Sequence, residues 1–205
     1  MRSSRSTVLE TAILGQLAST PLHGYQLRKL LAMQLGPFRA FSYGTLYPAL
    51  KTLQNRGLIT STEVTPAATR ATSMATTARA ATGKRSRIVY ELTDAGRDHL
   101  RNELAQAGPA AWEDDNFDIR FALFGQTDAD TRLRILEGRR TRLTERMEAA
   151  RTNWVSAGQL GEYPLELQRH GLEQVEHEVS WLDKLITTER ERAIRVPSHE
   201  MKERG

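Results

Sequence analysis

The sequence predicts a mainly α-helical protein with one small β hairpin, divided into two domains of different character. Apolar residues recur at helical spacing through most of the chain, and only two short segments read as strands. Gly108-Pro109 interrupts the pattern near the middle. The charge divides at the same place. Residues 1–105 hold 14 Lys and Arg against 6 Asp and Glu, a net of +8; residues 106–205 hold 15 against 19, a net of −4. The overall +4 therefore conceals a basic half suited to a polyanion and a mildly acidic half suited to protein contacts. The expected organisation is a domain over residues 1–107, a helical domain over 108–196 and a disordered tail over 197–205.

In chain order, Met1 to Ser6 is short, polar and basic and is expected to fray. Thr7-Val8-Leu9-Glu10 fits a capping box opening a helix with Leu9, Ala12, Ile13 and Leu17 on its apolar face. Thr20 to Gly24 breaks that helix. A second runs from about Tyr25 to Leu35, burying Leu27, Leu30, Leu31 and Leu35, and Gly36-Pro37 ends it. The third, starting from Ser42 as a plausible N-cap, buries Leu46, Ala49, Leu50 and Leu53. Its other face carries Thr45, Tyr47, Lys51, Thr52 and Asn55. Pro48 removes one backbone N–H near its start, and Gly57 stops it just before Leu58-Ile59.

Leu58 to Val64 and Arg87 to Leu92 then read as a hairpin, the latter placing Ile88, Tyr90 and Leu92 on one side. Three helices followed by such a hairpin make a winged helix-turn-helix, whose third helix lies in a DNA major groove. Residues 65–86, rich in Ala, Thr, Ser and Arg, are too many for a hairpin turn and too poor in large apolar side chains to fold alone. This insert is expected to be mobile, with basic residues able to follow a phosphate backbone.

Thr93-Asp94-Ala95-Gly96 caps a fourth helix to about Ala107. Beyond Gly108-Pro109, Phe117, Phe121 and Phe124 share one face of a short helix ending at Gly125. Thr127 or Asp128 caps the next helix, whose seam of Leu133, Leu136, Leu143, Met147, Ala150 and Trp154 is broken by Arg140. The last helix places Leu165, Leu172, Val175, Val179, Leu182 and Ile186 at heptad spacing. One partner helix with an interrupted seam leaves part of that stripe bare, so the stripe is expected to be the main element of a homodimer.

Several classes of activity find no support. There is no nucleophile elbow, no glycine-rich cofactor loop and no pair of carboxylates in an apolar setting, so no enzyme is predicted. Without cysteine the chain has no disulfide and no cysteine-ligated zinc. Its five histidines lack metal-ligand spacing, and Gly83-Lys84 lacks the rest of a phosphate-binding loop. Neither a cofactor nor a metal is expected. No apolar run approaches a membrane span and no signal peptide is evident, so a cytoplasmic protein is expected.

The motifs Ile13-Leu14-Gly15, His23-Gly24-Tyr25, Gly36-Pro37-Phe38, Gly44-Thr45-Leu46-Tyr47-Pro48-Ala49-Leu50, Gly57-Leu58-Ile59, Val89-Tyr90 and Leu92-Thr93-Asp94-Ala95-Gly96-Arg97 together resemble the PadR family of winged-helix transcriptional regulators. The likeness is strong over residues 7–105 and looser over 112–192, where it is similar to the larger subfamily that includes phenolic-acid repressors. The resemblance implies a homodimer that binds a roughly palindromic operator in double-stranded DNA and represses a neighbouring gene. It also implies release by a small apolar or aromatic effector. The 65–86 insert is longer than this family usually carries.

On this reading the DNA-binding candidates are Tyr25, Ser42, Tyr43, Gly44, Thr45, Tyr47 and Lys51, with Lys84, Arg85 and Arg87 on the wing. Tyr25 begins a helix, where backbone N–H groups attract an anion. Lys51 suits a phosphate rather than a base edge, since its ammonium is a point charge without fixed geometry. Ser42 and Thr45 suit base edges. Tyr47 can pack its ring while its hydroxyl reaches a phosphate. Trp112, Trp154 and Trp181 are core or interface residues by type; with Phe117 and Phe121 they are also the effector-pocket candidates. The competing reading is a winged helix that binds protein, which would not lose affinity steeply as salt rises.

Overall fold

The computed structural model describes residues 4–34, 43–64, 87–154 and 161–195. Ser42, Lys84, Arg85, the Gly36-Pro37 stop, the insert over 65–86 and the tail over 197–205 lie outside the described residues. So do the side chains of Tyr43, Arg87 and Trp154. The chain forms two compact units, Met1–Glu103 and Leu104–Gly205.

In the first unit, α1 (Ser4–Leu17) buries Val8, Leu9, Ala12, Ile13, Leu14 and Leu17. The helix starts three residues before the expected capping box, so Thr7 and Glu10 are interior to it. The Thr11 hydroxyl donates to the Thr7 carbonyl at 3.1 Å, and Glu10 turns inward to meet Arg56 at 2.6 Å. The stretch expected only to break the helix contains a strand, β1 (Leu22–His23). Then follow α2 (Gly24–Gln34), with Leu27 and Leu31 fully enclosed, and α3 (Tyr43–Asn55), which encloses Leu46, Leu50 and Leu53.

The end of α3 shows why glycine stands at position 57. Leu58 N donates to the Leu53 carbonyl at 3.0 Å and Gly57 N to the Gln54 carbonyl at 2.9 Å, the two bonds of a Schellman cap. That cap needs a left-handed residue, and Gly57 has φ 69°. β2 (Ile59–Val64) and β3 (Arg87–Leu92) pair antiparallel from Ile59↔Leu92 to Val64↔Arg87. β1 adds to the free side of β3 through Leu22↔Tyr90 and His23↔Val89, giving the order β1-β3-β2.

α4 (Asp94–Leu104) begins on Thr93, whose hydroxyl oxygen accepts Gly96 N at 3.0 Å, as expected of a cap. The same hydroxyl donates to the Gly57 carbonyl at 2.7 Å, so one side chain joins the start of α4 to the end of α3.

In the second unit, the expected break at Gly108-Pro109 contains a one-turn helix, α5 (Pro109–Trp112), with proline at its first position. It is followed by α6 (Asp114–Ala122), a 3₁₀ turn over Phe124–Gln126, α7 (Ala129–Trp154) and α8 (Glu162–Arg195). Of the two capping candidates for α7, Asp128 does the work: its carboxylate accepts Thr131 N at 2.8 Å. The Thr131 hydroxyl, and after it this backbone bond, lowers the Asp128 pKa.

α7 and α8 run antiparallel around Ile135, Leu136, Leu143, Leu182 and Ile186, with Ala111 and Phe117 on the same core. Trp112 lies flat on α7 at Gly138, where any side chain would overlap the indole.

Two expectations are corrected here. The arginine that enters the α7 seam is Arg139, which is buried, whereas Arg140 points outward and pairs with Asp183. Leu182 and Ile186, expected in the stripe between two copies, are closed off by α7 of their own chain. Towards the start of α8 the stripe is less covered. Leu165, Leu172, Val175 and Val179 are half-buried, and Tyr163 and Leu167 are exposed. No described helix is long and apolar enough to cross a membrane.

Candidate nucleic-acid interface

The apolar face of α3 is spent on the core, and the remaining face is open. Gly44, Thr45, Tyr47 and Lys51 are all exposed along it. Thr52 is not available for a ligand, because its hydroxyl turns back to the Pro48 carbonyl at 3.0 Å. At the far end Gln54 donates to the Ser61 hydroxyl at 2.7 Å, fixing the first wing strand to the helix. Gln54 was not singled out by the sequence, since a polar residue at that position reads as ordinary surface.

The start of α2 supplies the second part of the site. His23 caps the helix, and the Gln26 side chain reaches back to accept the His23 backbone N–H at 3.1 Å, half of a capping box. The His23 ring Nδ1 lies 3.2 Å from the Ile88 carbonyl on β3, which ties the helix start to the wing. Tyr25 projects from the first turn, two-thirds exposed. Tyr47 of α3 crosses over Gly24: a methyl group there would sit 3.3 Å from the tyrosine hydroxyl. Together with Tyr90 these residues wall an open cleft of about 570 Å³. Tyr25 and Tyr47, 22 residues apart in sequence, are thus brought to one place. Burial, and then Tyr47 beside it, raise the Tyr90 pKa, so this phenol stays a neutral O–H donor.

The second unit gathers the aromatic candidates. The Phe117 and Phe121 rings stack at 5.9 Å, and Trp181 meets both edge-on at 6.4 and 5.2 Å. Phe124 joins Phe121 at 5.1 Å. Trp112 is held apart by its seat on Gly138. Arg139 lies 5.1 Å from the Phe117 ring centre, bound by Asp114 at 2.5 Å and Glu178 at 2.8 Å. Burial alone would lower its pKa, yet the two carboxylates raise it and hold the charge in place. Among the described residues, no group of His, Asp and Glu is arranged to hold a metal ion.

A helix with an open polar face, a preceding helix whose first turn opens on the same cleft and a two-stranded wing make up a winged helix-turn-helix, an architecture whose third helix can lie in a DNA major groove. Residues 13–79 match the transcriptional regulator PadR-like family, about a third of the chain. It is 32% identical over 102 residues to the negative transcriptional regulator PadR of Bacillus subtilis, a match covering 50% of this chain. The matched part spans about half (48%) of that relative's length.

Among solved structures it is similar to Bacillus subtilis PadR in complex with operator DNA, at 21% identity, with 89% of this chain and 99% of that chain covered and a TM-score of 0.41. It is also similar to the same protein in complex with p-coumaric acid (20% identity, 89% and 99% covered, TM-score 0.37). A transcriptional regulator from Thermoplasma acidophilum matches at 26% identity, covering 48% of this chain and 79% of that one, with a TM-score of 0.37.

Proposed function

We propose that the protein is a sequence-specific DNA-binding repressor that occupies a palindromic operator as a homodimer and is released by a small aromatic or apolar effector. The observation that carries this reading is the face of α3. Its apolar residues are enclosed while Gly44, Thr45, Tyr47 and Lys51 stand open, beside a helix start suited to phosphate. The net +8 of residues 1–105 supports it, as does the likeness of 102 residues of the chain to a negative transcriptional regulator.

Each part of the site has a role. Thr45 and Ser42 meet base edges, with Tyr43 and Gly44 beside them at the start of α3. Tyr25, Tyr47 and Lys51 hold phosphates, and Lys84, Arg85 and Arg87 follow the backbone on the wing. A second copy covers the less buried early part of α8, around Leu165 and Leu172, with Val175 and Val179 at its edge. The effector lies on the half-buried rings of Phe121 and Trp181, above Phe117.

Thr45→Ala and Lys51→Ala separate the roles on the helix. Thr45→Ala should weaken binding to the preferred duplex by about 1–3 kcal/mol and relax one position of each half-site. Lys51→Ala should weaken preferred and random duplexes alike and flatten the dependence on salt. Equal losses on both kinds of DNA from both changes would refute this division of labour. Wild-type binding that hardly changed with salt would instead favour a protein-binding winged helix.

A further inference from the structure

Tyr90 is an unusual wall for a cleft. The residue is 5% exposed and stands on β3 between its register partners Leu22 on β1 and Ser61 on β2. Among the described residues its hydroxyl has no hydrogen-bond partner, although no enclosed polar side-chain atom is left unpaired. The hydroxyl is therefore not sealed in. It opens on the cleft that Tyr90 lines with Gly24, Tyr25 and Tyr47.

A buried phenol normally satisfies its O–H, because leaving it unmade costs about 1–3 kcal/mol. Here burial keeps the phenol neutral, and Tyr90 lines an open cleft beside a helix start. The first N–H groups of α2 have no partner within their own helix and carry the positive end of its dipole. Donors from a helix start and from a buried phenol, converging on one opening, suit a compact anion rich in acceptor oxygens.

We propose that this cleft is a single seat for one phosphodiester of the DNA backbone, in which the Tyr90 hydroxyl donates from the wing strand while the first turn of α2 donates from the opposite side. The proposal rests on the DNA-binding reading and adds a contact from within β3. Such a seat would clamp the wing to the same phosphate as α2 and so fix how the duplex lies across α3. Being neutral, Tyr90 strengthens binding without releasing a counterion.

The test compares wild type with Tyr90→Phe, which keeps the ring and removes one oxygen. A preferred duplex selected from a random library and a random-sequence duplex are titrated over a range of salt. Phosphate-ethylation interference is then mapped on the preferred duplex. Tyr90→Phe should bind both duplexes roughly tenfold more weakly with the same salt slope, as for one hydrogen bond to a charged group. It should also lose interference at one phosphate per half-site.

Gly24→Ala provides an independent variant. Its methyl would crowd the Tyr47 hydroxyl and should diminish the same interference signal. Unchanged affinity in Tyr90→Phe, or a loss spread evenly over all phosphates, would overturn the seat while leaving DNA binding intact. Wild-type protein that bound neither duplex would overturn the functional reading itself, and the seat with it.

Discussion

The two units solve the same packing problem with different materials. The first encloses Ile13, Leu14, Leu27, Leu31, Leu46, Leu50, Leu53 and Ile59 almost completely, and its turns are set by caps at Gly57 and Thr93. Among the described residues, the second encloses fewer large side chains along two much longer helices. It adds charge pairs between them: Arg132 with Glu189, Arg139 with Glu178, Arg151 with Glu176, and Arg190 with Glu137.

An apolar heptad seam is nearly indifferent to a slide of one repeat, whereas opposite charges at fixed rungs are not. Shape specifies the first unit. In the second, shape supplies the attraction and the charges set the register. The exposed pairs contribute little, about 0–1 kcal/mol each. The Arg132–Glu189 pair is different, with the glutamate side chain 9% exposed and the arginine 21%.

All three tryptophans lie in the second unit, so tryptophan fluorescence reports on that unit, while helical signal also reports on the first. The largest expected effect is Leu182→Glu, which places a charge in the enclosed α7–α8 core. It should cost more than about 4 kcal/mol and abolish the cooperative fluorescence transition. Helical signal from the first unit should survive. A folded monomer with native fluorescence would instead return Leu182 to an interface between copies and erase the contrast drawn here.

Arg139→Ala comes next, removing a buried side chain that packs on Phe117 and holds Asp114 and Glu178. Both carboxylates retain access to water, so the expected cost is about 1–3 kcal/mol, read from the fluorescence melt. A variant as stable as wild type would show that the charges are ornament on an apolar seam.

Gly57→Ala tests the other unit. Forcing a side chain into the left-handed region should cost about 1–2 kcal/mol in helical melting of the first unit and leave tryptophan fluorescence alone.

The smallest effect is Asp128→Ala, a lost cap worth about 1 kcal/mol. The folded Asp128 pKa is lowered, so its contribution is complete above the ordinary carboxylate value, about 4, and fades as pH falls through the folded value. Wild type and variant should therefore converge in stability in acid and differ at neutral pH. A constant gap across pH would assign the loss to something other than the charged cap.

What the sequence made legible follows the same division. In the first unit, local chemistry specifies local structure: Gly57 can stop a helix and Thr93 can start one without reference to distant residues. The open face of α3 was legible for the same reason, once its apolar positions were assigned inward. β1 was not, because two residues carry no periodicity and pair only because one side of β3 is available.

α5 was hidden because Gly108-Pro109 reads equally as a break or as a first helical turn. In the second unit, the heptads showed that a face of α8 is buried but not by which partner, so Leu182 and Ile186 were placed between copies. Arg139 and Arg140 are neighbours of one type, and only the rotation of α7 decides which enters. Tyr90 was missed as a site residue because an aromatic in alternation reads as core. It is core, with one atom excepted.

Thr93 has a mechanical consequence. A single hydroxyl receives the first turn of α4 and grips the last turn of α3, so the two helices meet at a riveted corner rather than a slack joint. α4 is also the helix through which the chain leaves the first unit for the second. The start of α4 and the residue that closes α3 therefore cannot shift apart without breaking a bond at this one hydroxyl.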